Sequence, residues 1–98
     1  LIDRELVRDL WKKRFQERFK AEVQIYGPYV YDATMTMVAA MQKADSTDPK
    51  KYLPELKKIS YDGVTGPISF DEYGDIKDGA LTLYTYRGGQ RVQMMVVK

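Results

Sequence analysis

The stretch that decides the fold is Tyr61-Asp-Gly-Val-Thr-Gly-Pro-Ile-Ser-Phe-Asp-Glu-Tyr-Gly-Asp-Ile-Lys-Asp-Gly79. It holds two turn signals around one short strand. Ile68 and Phe70 share a face at a period of two, as a half-buried strand requires. Asp71-Glu-Tyr-Gly-Asp75 is a turn in which Gly74 is expected at positive φ, and Asp78-Gly79 is a second turn.

C-terminal to it, Ala80–Arg87 and Gln90–Val97 flank Gly88-Gly89. A two-residue glycine loop between strand-like runs predicts a β-hairpin. A two-residue loop sets Arg87 opposite Gln90. Counting back, Leu83 then faces Met94 and Leu81 faces Val96 on a side that reads as core. Tyr84 faces Gln93 and Tyr86 faces Arg91 on a wetter side, where Tyr86 and Arg91 suit a cation–π pair.

N-terminal to it the period is helical. Residues 3–22 place Leu6, Val7, Leu10, Trp11, Phe15 and Phe19 at spacings of three and four, with Asp3 as N-cap. Val23-Gln-Ile25 alternates, as a short strand would. Gly27-Pro28 reads as a break, followed by a second helix from about Tyr31 to Lys43 whose apolar girth suggests burial. Asp48 and Pro49 form a helix-start signal for a third helix ending near Ile59. Pro54 inside it has no N–H to give the Lys50 carbonyl, so a distorted or 3₁₀ first turn is expected. Three helices, a short strand and a C-terminal hairpin make an α+β arrangement.

Composition narrows the chemistry. A chain of 98 residues allows one domain, and one this small buries a modest share of its surface. It has no Cys and no His, which removes the thiolate nucleophile, the disulfide staple and the commonest acid–base and metal-binding side chain. Sixteen basic and fourteen acidic residues are interspersed, giving a net charge of +2 and no basic tract of the kind that marks a nucleic-acid surface. No run approaches the ~20 apolar residues of a membrane span, and the N-terminal residues form no signal peptide. The chain begins with Leu, which reads as a processed or truncated start.

The acids Asp71, Glu72, Asp75 and Asp78 lack the alternate spacing of a calcium loop and read as solvated turn residues. Tyr26, Tyr29 and Tyr31 alternate around Gly27-Pro28, where amphipathic rings either line a ligand pocket or pack in a core. The five methionines read as gap-fillers more readily than as an adaptable surface. No nucleophile–base–orienter set assembles, so no catalytic residue is assigned, and neither a metal nor another cofactor is expected.

Three segments carry a resemblance. Gly27-Pro-Tyr-Val-Tyr-Asp-Ala33 precedes an Ala- and Met-rich helix; Ala44-Asp-Ser-Thr-Asp-Pro-Lys-Lys-Tyr-Leu-Pro-Glu-Leu56 follows; then comes Tyr61 to Asp75. In this order and spacing the chain resembles the C-terminal part of the Leu/Ile/Val-binding periplasmic receptors of ABC importers, over about residues 14–98. The resemblance implies a fragment of a two-lobed α/β receptor that binds its ligand in the cleft between the lobes and catalyses nothing. Residues 1–98 would form a single incomplete domain, with 1–79 in the C-terminal part of the N-terminal lobe and the hairpin 80–98 returning into the other lobe.

By the same resemblance Tyr29 contacts the ligand side chain, with Tyr31 and Asp32 as weaker ligand-binding candidates. The implied partners are a branched-chain or related amino acid and the membrane subunits of an importer, both for the parent protein, with no nucleic acid. The implied location of the parent is the periplasm, or the outer surface of a cell through a lipid anchor. An isolated fragment with such aromatic faces is expected to self-associate. The alternative is a stand-alone small α+β dimeric interaction module, and a small Asp/Tyr enzyme ranks last.

Overall fold

The computed structural model describes residues 3–98, and its elements follow the order α1 (Arg4–Phe19), α2 (Gly27–Ala44), α3 (Pro49–Lys58), β1 (Tyr61–Asp62), β2 (Pro67–Ile68), β3 (Leu81–Arg87) and β4 (Gln90–Val97). The α+β arrangement expected from the sequence is what these residues adopt. Leu1 and Ile2, included in the expected 1–98 domain, lie outside the described residues.

Asp3 caps α1, accepting from the Leu6 N–H at 3.1 Å, with Glu5 in the first turn against the positive helix end. The helix stops at Lys20, not at residue 22. Lys20 takes a left-handed conformation, φ 53°, and its N–H closes on the Gln16 carbonyl at 2.9 Å. Gln16 then reaches Glu22 at 3.2 Å, which folds the chain back over the helix end. Val23–Ile25 forms no strand.

Gly27-Pro28 does not break the structure; it begins α2. Proline in a first turn has no missing hydrogen bond to account for, and its fixed φ suits the helix. α2 closes with Asp45 at φ 51° and a Ser46 N–H to Met41 carbonyl bond at 3.1 Å, a Schellman-type end. Asp48 caps α3 as expected, accepting from the Lys50 N–H at 3.0 Å, and Pro49 occupies the start. The Asp48 carbonyl accepts from both Lys51 at 2.9 Å and Tyr52 at 3.0 Å, so the first turn mixes 3₁₀ and α bonding. The helix then runs through Pro54 to Lys58.

β1 and β2 are two-residue strands paired antiparallel, Tyr61 with Ile68 and Asp62 with Pro67, around the turn Gly63–Gly66. Phe70 pairs with Ile76 in an isolated bridge, and the turn between them has Gly74 at φ 87°, as its sequence requires. The core is small: Ala40, Ile59, Val64 and Ile68 are buried, together with the polar Asp32 and Thr36. Asp32, Thr36 and Ala40 sit at i, i+4 and i+8, so α2 buries one narrow stripe instead of its whole girth. Val38 and Tyr31 remain exposed.

The β3–β4 hairpin turns at Gly88 and Gly89, with φ 58° and 77°; positive values at both central residues make a type I′ turn. Arg87 faces Gln90, Tyr86 faces Arg91 and Tyr84 faces Gln93. Beyond that the register shifts. Leu83 faces Met95 and Leu81 faces Val97, because Met94 is the extra residue of a β-bulge. The Arg91 guanidinium lies 4.4 Å from the Tyr84 ring, so its partner is the diagonal neighbour on the same face and not Tyr86 directly opposite. Neither face of the hairpin is covered: Leu81 is 76% exposed, and Leu83, Met94 and Met95 are open. The radius of gyration is 16.2 Å, against about 13 Å for a compact domain of this length.

Candidate functional site

The expected site residues all lie in the first two turns of α2, where Tyr29 and Asp32, three apart, share one side of the helix and Tyr31 lies on another. Asp32 is 2% exposed. Its Oδ1 accepts from the Val64 N–H at 2.9 Å, and its Oδ2 accepts from the Thr65 N–H at 2.8 Å and from the Thr65 hydroxyl. One side chain thus ties α2 to a turn 32 residues downstream. Among the described residues no cation pairs with the carboxylate; two backbone N–H dipoles and one hydroxyl replace its water. Thr36 donates to the Asp32 carbonyl at 2.7 Å, which satisfies the second polar group of the stripe.

The turn is shaped for this carboxylate. A Cβ on Gly63 would stand 2.6 Å from Asp32 Cγ, so only glycine permits the approach. Its N–H donates to the Gly66 carbonyl at 2.9 Å, and Gly66 holds φ 134°. Arg4 of α1 grips the same turn from outside, donating to the Gly63 carbonyl at 2.8 Å and to Asp62 Oδ1 at 2.7 Å. Among the described residues no buried side-chain polar atom lacks a partner, and no three acids are placed to hold a metal ion.

Tyr29, one turn before Asp32 on the same side of the helix, is 62% exposed. It stands at the edge of a groove of about 860 Å³ between α2 and the segment 65–80, lined also by Thr36, Met37, Pro67, Phe70 and Ile76. Arg8 and Lys98 bring positive charge to this groove, and Asp32 forms part of its floor. Tyr31, 41% exposed, faces away from Tyr29. Its ring lies 5.4 Å from Trp11, which in turn lies 5.5 Å from Phe15, and Phe15 4.9 Å from Phe19. These rings border a second cleft of about 720 Å³ with Arg14 and Gly27. Tyr29 and Asp32 therefore border one groove, while Tyr31 belongs to an aromatic row that seats α1 on α2.

Sequence reasoning passed over Gly63, Thr65 and the Arg4 grip. The only signal was the Asp-Gly-Val-Thr-Gly turn itself, and nothing local connects it to Asp32. Tyr61 at the base of the turn is a further member of the cluster. Burial pushes its hydroxyl above the ordinary tyrosine value of 10.0, and Tyr31 and Asp32 add to the shift. The protonated form is the one the fold favours. Its contribution is present in full below pH 10.0 and is lost as pH rises from there through the raised folded value. Tyr61→Phe has nothing to ionise, so thermal melts between neutral pH and about pH 11 should show a smaller alkaline loss than in the parent sequence.

Comparison with known proteins places this arrangement. The family model described as periplasmic binding protein matches residues 6–90. The leucine-, isoleucine-, valine-, threonine- and alanine-binding protein of Pseudomonas aeruginosa is 29% identical over 89 residues, covering 87% of this chain and 24% of that protein. The crystal structure of the leucine-binding protein LivK from Thermotoga maritima superposes with a TM-score of 0.72 at 25% identity, covering 93% of this chain and 26% of that one. The chain spans about a quarter of the length of the relatives it matches.

Proposed function

Because the chain belongs to the periplasmic binding protein family, we propose that it forms part of an extracytoplasmic solute receptor for branched-chain or related amino acids that feeds an ABC importer. The observation that carries this reading is a continuous match in order and in space. One stretch, covering 87% and 93% of the chain, aligns with receptors whose own names specify leucine and its relatives. The parent protein works in the periplasm or anchored by lipid outside the cell, and it binds and hands over its ligand without turnover. The absence of any His or Cys accords with a binding role.

In this reading residues 1–79 belong to the N-terminal lobe and the hairpin 80–98 enters the other lobe. The uncovered hairpin faces and the half-exposed aromatic row on α1 support such a division, since both need apolar partners. The isolated chain should self-associate through the same faces, and a monomer by light scattering at micromolar concentration would count against that.

Tyr29 forms one wall of the ligand pocket. It is an exposed aromatic at the mouth of an apolar groove, able to lay its ring against an aliphatic side chain. Asp32 and Tyr31 serve the pocket from behind: Asp32 locks the start of α2 to the 63–66 turn, and Tyr31 seats that start on α1.

The test is calorimetric titration of leucine, isoleucine and valine into the natural protein that carries this sequence. Saturable binding is expected. Tyr29→Ala should weaken it about tenfold, equivalent to ~1.4 kcal/mol, while leaving the melting temperature nearly unchanged because the side chain is exposed. No binding of any of the three would overturn the branched-chain assignment. Binding that ignores Tyr29→Ala would remove Tyr29 from the pocket.

A further inference from the structure

The chain contains two Asp-Gly pairs, Asp62-Gly63 and Asp78-Gly79, with the same local chemistry and opposite surroundings. We propose that Asp78-Gly79 is a site of spontaneous isoaspartate formation in the folded protein and that the fold protects Asp62-Gly63 from the same reaction.

The reaction needs little. The backbone nitrogen of the following residue attacks the protonated side-chain carboxyl carbon of Asp. A C–N bond forms, the carboxyl oxygen leaves as water with the amide proton, and a five-membered succinimide results. Water then opens either carbonyl. Attack at the side-chain carbon restores Asp; attack at the main-chain carbon routes the backbone through the side chain. One water is lost and one regained, with no oxidant and no cofactor. Glycine favours the first step because it has no Cβ to obstruct the nitrogen.

At Asp62-Gly63 each participant is held. Asp62 is paired in β1, and its Oδ1 receives the Arg4 guanidinium at 2.7 Å. The attacking nitrogen, that of Gly63, donates to the Gly66 carbonyl at 2.9 Å. Gly63 is also buried against the Asp32 carboxylate. Ring closure there requires the turn to open first.

At Asp78-Gly79 the holds are weaker among the described residues. Both residues are exposed, and neither lies in a strand or helix. Lys77 and Asp78 form a turn, but the Gly79 N–H that would close it on Ile76 makes no backbone hydrogen bond of ordinary geometry, and the Asp78 carboxylate makes none to a side chain. Asp78 also holds φ 53°, in the left-handed region that Asp visits as a single turn residue. An iso-linkage inserts a methylene into the chain at that point. The site lies between the Phe70–Ile76 bridge and the first residue of β3, so the modification lengthens the segment that aims the hairpin.

The test is ageing of the folded full chain at neutral pH and physiological temperature. New isoaspartyl groups are then methylated by protein L-isoaspartate methyltransferase with labelled S-adenosylmethionine. Cleavage after Glu separates the sites into peptides 56–72 and 73–98, and fragmentation assigns the residue. Label at Asp78 should exceed label at Asp62 by roughly tenfold or more in the folded chain, because local opening gates the buried site. The two should approach equality in a urea-unfolded control. Asp78→Glu, whose longer side chain closes a ring slowly, adds a cleavage after residue 78 and should clear the label from the resulting peptides 73–78 and 79–98. Equal labelling in the folded chain, an Asp78 excess that persists unchanged in urea, or label in 73–98 that survives Asp78→Glu would each overturn the proposal.

Discussion

Asp32→Ala should cost about 3 kcal/mol or more of folding stability, read as a fall in the midpoint of urea unfolding at unchanged slope. The substitution removes an acceptor that serves the Val64 N–H, the Thr65 N–H and the Thr65 hydroxyl at once. The Val64 N–H is then buried with no partner, which carries the full desolvation penalty in addition to the lost bonds. The remaining core is slight. Four buried apolar side chains, Ala40, Ile59, Val64 and Ile68, stabilise the fold by at most about 1.5–3 kcal/mol each. A single polar anchor is therefore a large share of what holds α2 to the β1–β2 turn. Asp32→Asn keeps one acceptor oxygen but turns an amide N–H₂ towards a donor, so it should fall between the parent and the alanine variant. An alanine variant within about 0.5 kcal/mol of the parent would show that the anchor is not structural.

Gly63→Ala should be comparably damaging, by about 2 kcal/mol or more, for a steric reason. Gly63 is not among the residues at positive φ, so its backbone would accept alanine without strain. The cost comes from the methyl group, which would stand 2.6 Å from Asp32 Cγ and force the carboxylate off its N–H donors. Gly74 provides the converse. It holds φ 87° with open space where a Cβ would go, so Gly74→Ala should lose only about 1–2 kcal/mol, through backbone strain. If urea unfolding ranks Gly74→Ala as worse than Gly63→Ala, the close approach to Asp32 is not what fixes glycine at position 63.

The two predictions bear on the groove because the anchor sets where Tyr29 stands. Tyr29 lies three residues before Asp32 on the same helix, and its ring borders a groove whose opposite wall is Pro67 and Phe70. The Asp32 bonds to Val64 and Thr65 hold those two walls together. Loosening them should weaken amino-acid binding in the natural protein without touching the ligand directly.

Local signals were readable and distant ones were not. Asp3, Asp48 with Pro49, and Gly88-Gly89 act within a few residues of themselves, and each sits where its chemistry requires. Gly27-Pro28 misled because proline's meaning depends on whether a helix is ending or beginning, and here one begins. The Met94 bulge misled because a hairpin register counted from the turn assumes an unbroken ladder. The uncovered hairpin misled for another reason: alternation reports which side of a strand is apolar, not whether anything covers it. At the site, Tyr29 was singled out by the resemblance, since its spacing around Gly27-Pro28 suits core packing as well as a pocket. The role of Asp32 could not be read, since its donors lie 32 and 33 residues away and carry no side-chain code.

The central claim, that this chain is part of a larger amino-acid receptor, is tested most directly by the intact mass of the species that carries it in its native cell. The account predicts a species several times heavier than 11.4 kDa that contains this sequence near its C-terminus, since the matched relatives are about four times as long. A native species of about 11.4 kDa would contradict it and leave a small dimeric α+β module as the better description.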